Sequence, residues 1–247
     1  KIVDLKLLYV ELESFVYYDI SKISTVSNLK TRIINGLTTY GKSTDLNKFG
    51  GRFKYSKVLN VIDKIDDAIA SNISRVIIRR NLKALVNQFA QYELCYGNRF
   101  HINPDGRNIK STGFTIAGQT DLLYFTDMPN KNINGALDGS GKGVIAIVKD
   151  DGEQLIVASA GTVDYIHGEI ILNTINITST EKANNIVEIQ AFPESNDIIS
   201  LKDLYLTFSV ENSQINMVKD TITSGEQISG VGFNVTSSYS NGVLTRG

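Results

Sequence analysis

From Gln88 onward no helical period survives, and that loss limits the fold more than any other feature of the chain. "QFAQYELCYGN" alternates apolar and polar residues as a strand does, and a series of short strand-like runs follows. These are "GFTIAG", "DLLYFTD", "GVIAIVK", "QLIVAS", "GEIILNTINI" and "NIVEIQAF". Turn signals separate them, among them "NPDG" (Asn103 to Gly106), "DGSGKG" (Asp138 to Gly143) and "DDG" (Asp150 to Gly152). "GVIAIVKDDGEQLIVAS" reads as a hairpin. After Pro193, "ISLKDLYLTFSVENSQINMVKD" reads as a further strand pair. Thr221 to Gly247, rich in Ser, Gly, Asn and Thr, reads as an arm or irregular edge segment.

The first third reads differently. Leu5 to Val16 alternates imperfectly, which favours a half-buried strand. A helix follows, with Ser27 or Asn28 as its cap, Leu29, Ile33, Leu37 and Tyr40 at helical spacing, and Gly41 as its stop. In a second helix Tyr55, Val58, Leu59, Ile62 and Ile65 form an apolar stripe, with Lys54, Lys57, Asn60 and Lys64 largely off it. Ser71 to Arg80, rich in β-branched residues, then reads as a strand. The expected fold class is α+β, a strand-helix-helix-strand α/β domain carrying a β-rich subdomain.

Bulk numbers exclude several functions. The 247 residues suffice for one large domain or two modest ones. Lys and Arg total 25 against 26 for Asp and Glu, so the basic excess usual in a nucleic-acid binder is missing. One cysteine, Cys95, rules out an intrachain disulfide and a four-thiolate zinc site. Apolar runs such as "VIAIV" fall far short of the ~20 residues that span a bilayer. The opening "KIVDLKLLYVELESF" interleaves charges with apolar residues and is no signal peptide. It does not start on methionine, so a fragment of a longer protein is expected.

Motifs that carry chemistry are scarce. "DGSGKG" fails as a phosphate loop, because Ala136 stands where a glycine is needed and Gly143 follows Lys142 in place of Ser or Thr. Only His101 and His167 are available as imidazoles, and neither they nor Cys95 sit in a nucleophile motif. Asp164, His167 and Glu169 gather at a tight turn, where a turn-stabilising or surface histidine outweighs a metal ligand. The pairs Asp66-Asp67 and Asp150-Asp151, and Glu194 with Asp197, read as solvated turn acids. The glycosylation triplets at Asn72, Asn176 and Asn234 are expected by chance in so Asn/Ser/Thr-rich a chain. No catalytic, cofactor-binding or metal-binding residue is assigned.

What remains is "SNISRVIIRRN". On a strand, Ile73, Arg75, Ile77 and Arg79 share one face, and Ser74, Val76, Ile78 and Arg80 share the other. Arginines split between faces track a phosphate backbone poorly, and no aromatics interleave to stack on bases. They suit carboxylate pairing. Arg75, Arg79 and Arg80 are therefore candidate interface residues, with ordinary intrachain salt bridges as the equal alternative.

"FKYSKVLNVIDKIDDAIASNISRVIIRR" followed by "YELCYGN" resembles the baseplate wedge protein of T4-type contractile-tail bacteriophages, of the baseplate J-like group. "SAGTVDYIHGEIILNTINI", "VEIQAFPESNDIISLKDLYLTF", "GRNIKSTGFTIAG" and "LLYFTDMP" are also similar to that family. The resemblance covers nearly the whole chain, the final arm only loosely, and implies the C-terminal region of the wedge subunit. It implies a structural, non-enzymatic virion protein of the tail baseplate, assembled in the bacterial host cytoplasm. It implies pairing with a second copy and contacts with other wedge proteins in a ring around the tail tube, with no cofactor, nucleic acid or membrane. On this reading residues 1–97 and 186–220 form the baseplate J-like α/β domain, 98–185 an inserted β-rich subdomain and 221–247 a C-terminal arm. The alternative is a carbohydrate-binding or carbohydrate-cleaving tail protein using Tyr92, Tyr96, Tyr124 and Tyr165, although the chain has no Trp.

Overall fold

The computed structural model describes residues 6–44, 46–149, 152 and 154–222. In chain order the elements are β1 (Leu7–Tyr18), α1 (Val26–Gly41), β2 (Lys48–Phe49), β3 (Arg52–Phe53), α2 (Tyr55–Asp63), β4 (Ile69–Lys83) and β5 (Phe89–Cys95). There follow β6 (Lys110–Ser111), β7 (Phe114–Ile116), β8 (Leu123–Pro129), β9 (Lys142–Lys149), β10 (Leu155–Asp164) and β11 (Glu169–Thr180). The last are β12 (Ile186–Ala191), β13 (Ile198–Ile199), β14 (Tyr205–Phe208) and β15 (Gln214–Lys219). The expected arm and the Asp150-Asp151 turn acids lie outside the described residues, apart from Thr221 and Ile222.

The α+β expectation is overturned. Of the described residues 48% are strand and 15% helix, and they contain a closed five-stranded barrel. The two α-helices, of 16 and 9 residues, stand where the apolar stripes put them, but besides two short 3-10 turns they are the whole helical content of the described residues. The alternation that governs the later sequence also lengthens the early strands: β4 runs for 15 residues. The chain divides into two compact units, and the boundary falls inside β4, between Ile77 and Ile78.

The first unit holds residues 6–77 and the described residues from 196 to 222. Its sheet is built around β1, with β4 on one edge. On the other edge β14 and β15 follow one another, both parallel to β1, from Leu7 opposite Tyr205 to Tyr18 opposite Lys219. Between the two, the Leu12 N–H donates instead to Ser213 Oγ at 3.0 Å, so this donor keeps a partner across the step. Thr25, not Ser27 or Asn28, caps α1: its hydroxyl accepts from the Asn28 N–H. Leu29, Ile33 and Leu37 on α1 and Val58 and Ile62 on α2 are buried, as are Leu8, Val10, Leu12 and Val16 on β1.

The second unit holds the described residues from 78 to 195. Pairings β7–β8, β8–β9, β9–β10, β10–β11 and β11–β7 close the ring of the barrel. Closure leaves these strands without free edges across their paired stretches. Phe114 and Phe125 stack at 4.3 Å, and Ile145, Ile147, Val163, Ile170, Leu172 and Ile177 of the barrel strands are buried as well. Register shifts in β10 between Val157 and Gly161 and in β11 between Leu172 and Ile175 bend the strands around the ring. Gly161 permits one of these bends, since a Cβ there would sit 2.3 Å from the Ile171 carbonyl oxygen. Outside the ring β5 pairs with β11, and β12 lies between β4 and β6.

Candidate functional site: the arginines of the long strand

Along β4 the burial alternates as the strand reading requires, with Ser74, Val76 and Ile78 turned inward. The alternation breaks at Arg79, which is buried although its neighbour Ile78 is buried too. Its register explains why. Gln190 of β12 lies opposite Arg79 and Glu188 opposite Asn81, which puts all four polar side chains on one face. Arg79 Nη1 donates to Glu188 Oε1 at 2.9 Å and also to Asn81 Oδ1. Both charges of the pair are almost wholly enclosed, with side-chain exposures of 3% and 12%.

Arg75, in the first unit, behaves differently. Its Nε lies 3.8 Å from Glu13 Oε2 on β1, with both side chains about a fifth exposed. Next to it Ser14 and Ser74 share a buried hydroxyl–hydroxyl hydrogen bond at 2.7 Å. Arg80, in the second unit, donates to the Cys95 carbonyl at the end of β5. Beside it Tyr96 is fully buried, and its hydroxyl donates to the Ile189 carbonyl at 2.8 Å. That burial pushes the Tyr96 phenol far up. Arg79 and Arg80 thus work within one unit and Arg75 in the other.

The other chemical candidates settle into structural roles. Asp164 Oδ1 accepts the Ile166 and His167 backbone N–H groups, and His167 Nδ1 lies 3.1 Å from Asp164 Oδ2, so the pair forms the turn between β10 and β11. Burial pushes the Cys95 thiol up, away from the thiolate that nucleophilic chemistry needs. Asp138 closes its own turn by accepting from the Ser140 N–H and hydroxyl. Of the tyrosines offered for sugar stacking, Tyr96, Tyr124 and Tyr165 are buried, and the half-buried Tyr92 accepts the Leu85 N–H on its hydroxyl. Among the described residues no group of three or more His, Cys, Asp or Glu could hold a metal ion. No helix among them is long and apolar enough to cross a membrane.

One polar cluster escaped the sequence reading. Asp127, on β8, is fully buried; Oδ2 accepts the Tyr165 hydroxyl and Oδ1 the Ile109 N–H, both at 2.6 Å. Burial raises the Asp127 carboxyl above its ordinary value, against these donors. The signal was present in "LLYFTDMP", where alternation places Asp127 on the same face as the apolar Leu123 and Phe125.

No curated protein matches this chain. Residues 6–81, which run from the start of β1 to near the end of β4, match the family model described as baseplate structural protein gp6, C-terminal domain III. Over that segment the chain is similar to the T4-type baseplate wedge family that its sequence resembles.

Proposed function

We propose that the chain is a structural subunit of a phage tail baseplate wedge, which self-associates, contacts other wedge proteins and so helps to form a ring around the tail tube. It carries out no catalysis, and it assembles in the host cytoplasm before residing in the virion. The observation that carries this reading is the family match over residues 6–81, which takes in β1, α1, α2 and most of β4. Two further observations support it. His167 and the cysteine sit in structural roles, and Asp164 and Glu188 are spent on a turn and a buried pair. Arg75 and Arg80 are half-buried on β4 and serve as pairing residues, while Arg79 ties β4 to β12 through Glu188. A baseplate ring must rearrange when the tail contracts, and charged strand contacts can exchange partners without unfolding a domain.

The test is a solution mass measurement of the chain alone and co-expressed with the baseplate proteins encoded beside it. The expected result is a mass above that of the monomer and a stable complex with at least one neighbour. A strictly monomeric chain that captures none of them overturns the assignment.

A further inference from the structure

We propose that the layer formed by α1, the β2–β3 connection and α2 is a docking surface for an acidic face of a different baseplate protein, with Lys54, Lys57 and Lys64 at its centre. The baseplate reading enters only in making that partner a protein. Between Ile20 and Ala68 there are nine Lys or Arg against four Asp, a formal +5 inside a chain of net charge −1. All nine basic residues are exposed. Two of the four acids are already engaged: Asp63 accepts from Asn72 Nδ2 at 2.6 Å, and Asp66 pairs with Arg32 and accepts the Ala68 N–H. Lys54 flanks α2 as its N-cap and Lys64 as its C-cap, with Lys57 and Asn60 on the helix between them; all four are exposed, whereas Val58 and Ile62 are buried.

Tyr40, Ser56, Lys57, Asn60 and Val61 line a shallow groove there. A partly apolar floor edged by charge is how protein contacts are built. Nucleic acid fits less well. The groove's one aromatic ring, Tyr40, is half-buried and already packs edge-on to Phe208 at 6.4 Å, so it offers no face for a base. The rest of the chain carries a net negative charge, which repels a long polyanion.

The experiment compares the wild-type chain with K54E/K57E/K64E and with K131E/K142E/K202E, which makes the same change in net charge elsewhere. Each is measured for binding to its co-expressed baseplate neighbours between 50 and 300 mM NaCl, after thermal scans confirm folding. The expected result is a loss of at least tenfold for K54E/K57E/K64E, wild-type binding for the other variant, and wild-type affinity that falls as salt rises. Equal losses in both variants, or none in K54E/K57E/K64E, overturn the proposal. Two other results also overturn it: tighter binding of a 30-base-pair duplex than of any neighbour at 150 mM NaCl, and a loss confined to self-association, which makes the occupant a second copy. If the wild type captures no neighbour, the baseplate reading fails first. Poly-L-glutamate is then the probe, and equal binding to wild type and K54E/K57E/K64E overturns the surface as well.

Discussion

Replacing Arg79 with alanine separates a folding role from a docking role more sharply than any other single change to β4. The substitution leaves Glu188, 12% exposed, without the cation 2.9 Å away. Removing one partner of a buried pair costs about 3–5 kcal/mol, because the remaining charge stays enclosed. That is a large share of the ~5–15 kcal/mol that holds a typical domain folded. Arg75→Ala breaks a contact of 3.8 Å between side chains about a fifth exposed, worth about 0.5–1 kcal/mol at most. The assay is urea unfolding followed by tyrosine fluorescence, since the chain has 11 Tyr and no Trp. R79A should lower the midpoint far more than R75A, and R79M/E188L should recover most of the loss, because a packed apolar pair escapes the desolvation that the ions suffer. If R79A costs less than about 1 kcal/mol, or R79M/E188L is as damaged as R79A, the pair is solvated and the reasoning is wrong. With the expected loss of stability, assembly defects in R79A report unfolding, and Arg75 and Arg80 are the residues whose loss tests an interface.

Two further changes probe the second unit. Burial raises the Asp127 carboxyl, so its contribution to stability is fully present below the unfolded-chain value of 3.8 and is lost as pH rises through the folded value. Asp127→Asn should therefore flatten the fall in thermal midpoint between pH 4 and pH 8, and an unchanged pH profile would show that the carboxyl is not buried in the folded protein. Gly161→Ala would place a Cβ 2.3 Å from the Ile171 oxygen, so the β10–β11 pair must separate at a cost of about 1–3 kcal/mol; a midpoint equal to wild type in thermal unfolding counts against that register.

Both helices were legible in the sequence because Leu29, Ile33 and Leu37, and Val58 and Ile62, repeat at a period that a strand cannot bury. The hairpin from Gly143 to Ser159 was legible for the opposite reason, and β9 and β10 do pair antiparallel there. The fold class was not legible. A strand order of β8, β7, β11, β10 and β9 that returns to β8 depends on pairings between segments far apart, such as Phe114 with Thr180, and no local pattern encodes them. Arg79 shows the same limit at the site. Alternation gave its face, but its burial depends on Glu188, more than a hundred residues away. The basic layer went unnoticed because the acids elsewhere in the chain cancel it in the total.

The parallel partners of β1 carry a consequence for the order of events during synthesis. Tyr205, the residue that Leu7 pairs with, is made almost two hundred residues after it. At about 5–20 residues per second, β1 waits roughly 10–40 s for β14 and β15. Within that interval the barrel strands, all between Phe114 and Thr180, are complete and free to close. The segment that matches the baseplate family is thus translated before the barrel strands, and its sheet is completed after them. Until then the apolar β1 has an open edge that a holdase, or a neighbouring chain, can occupy.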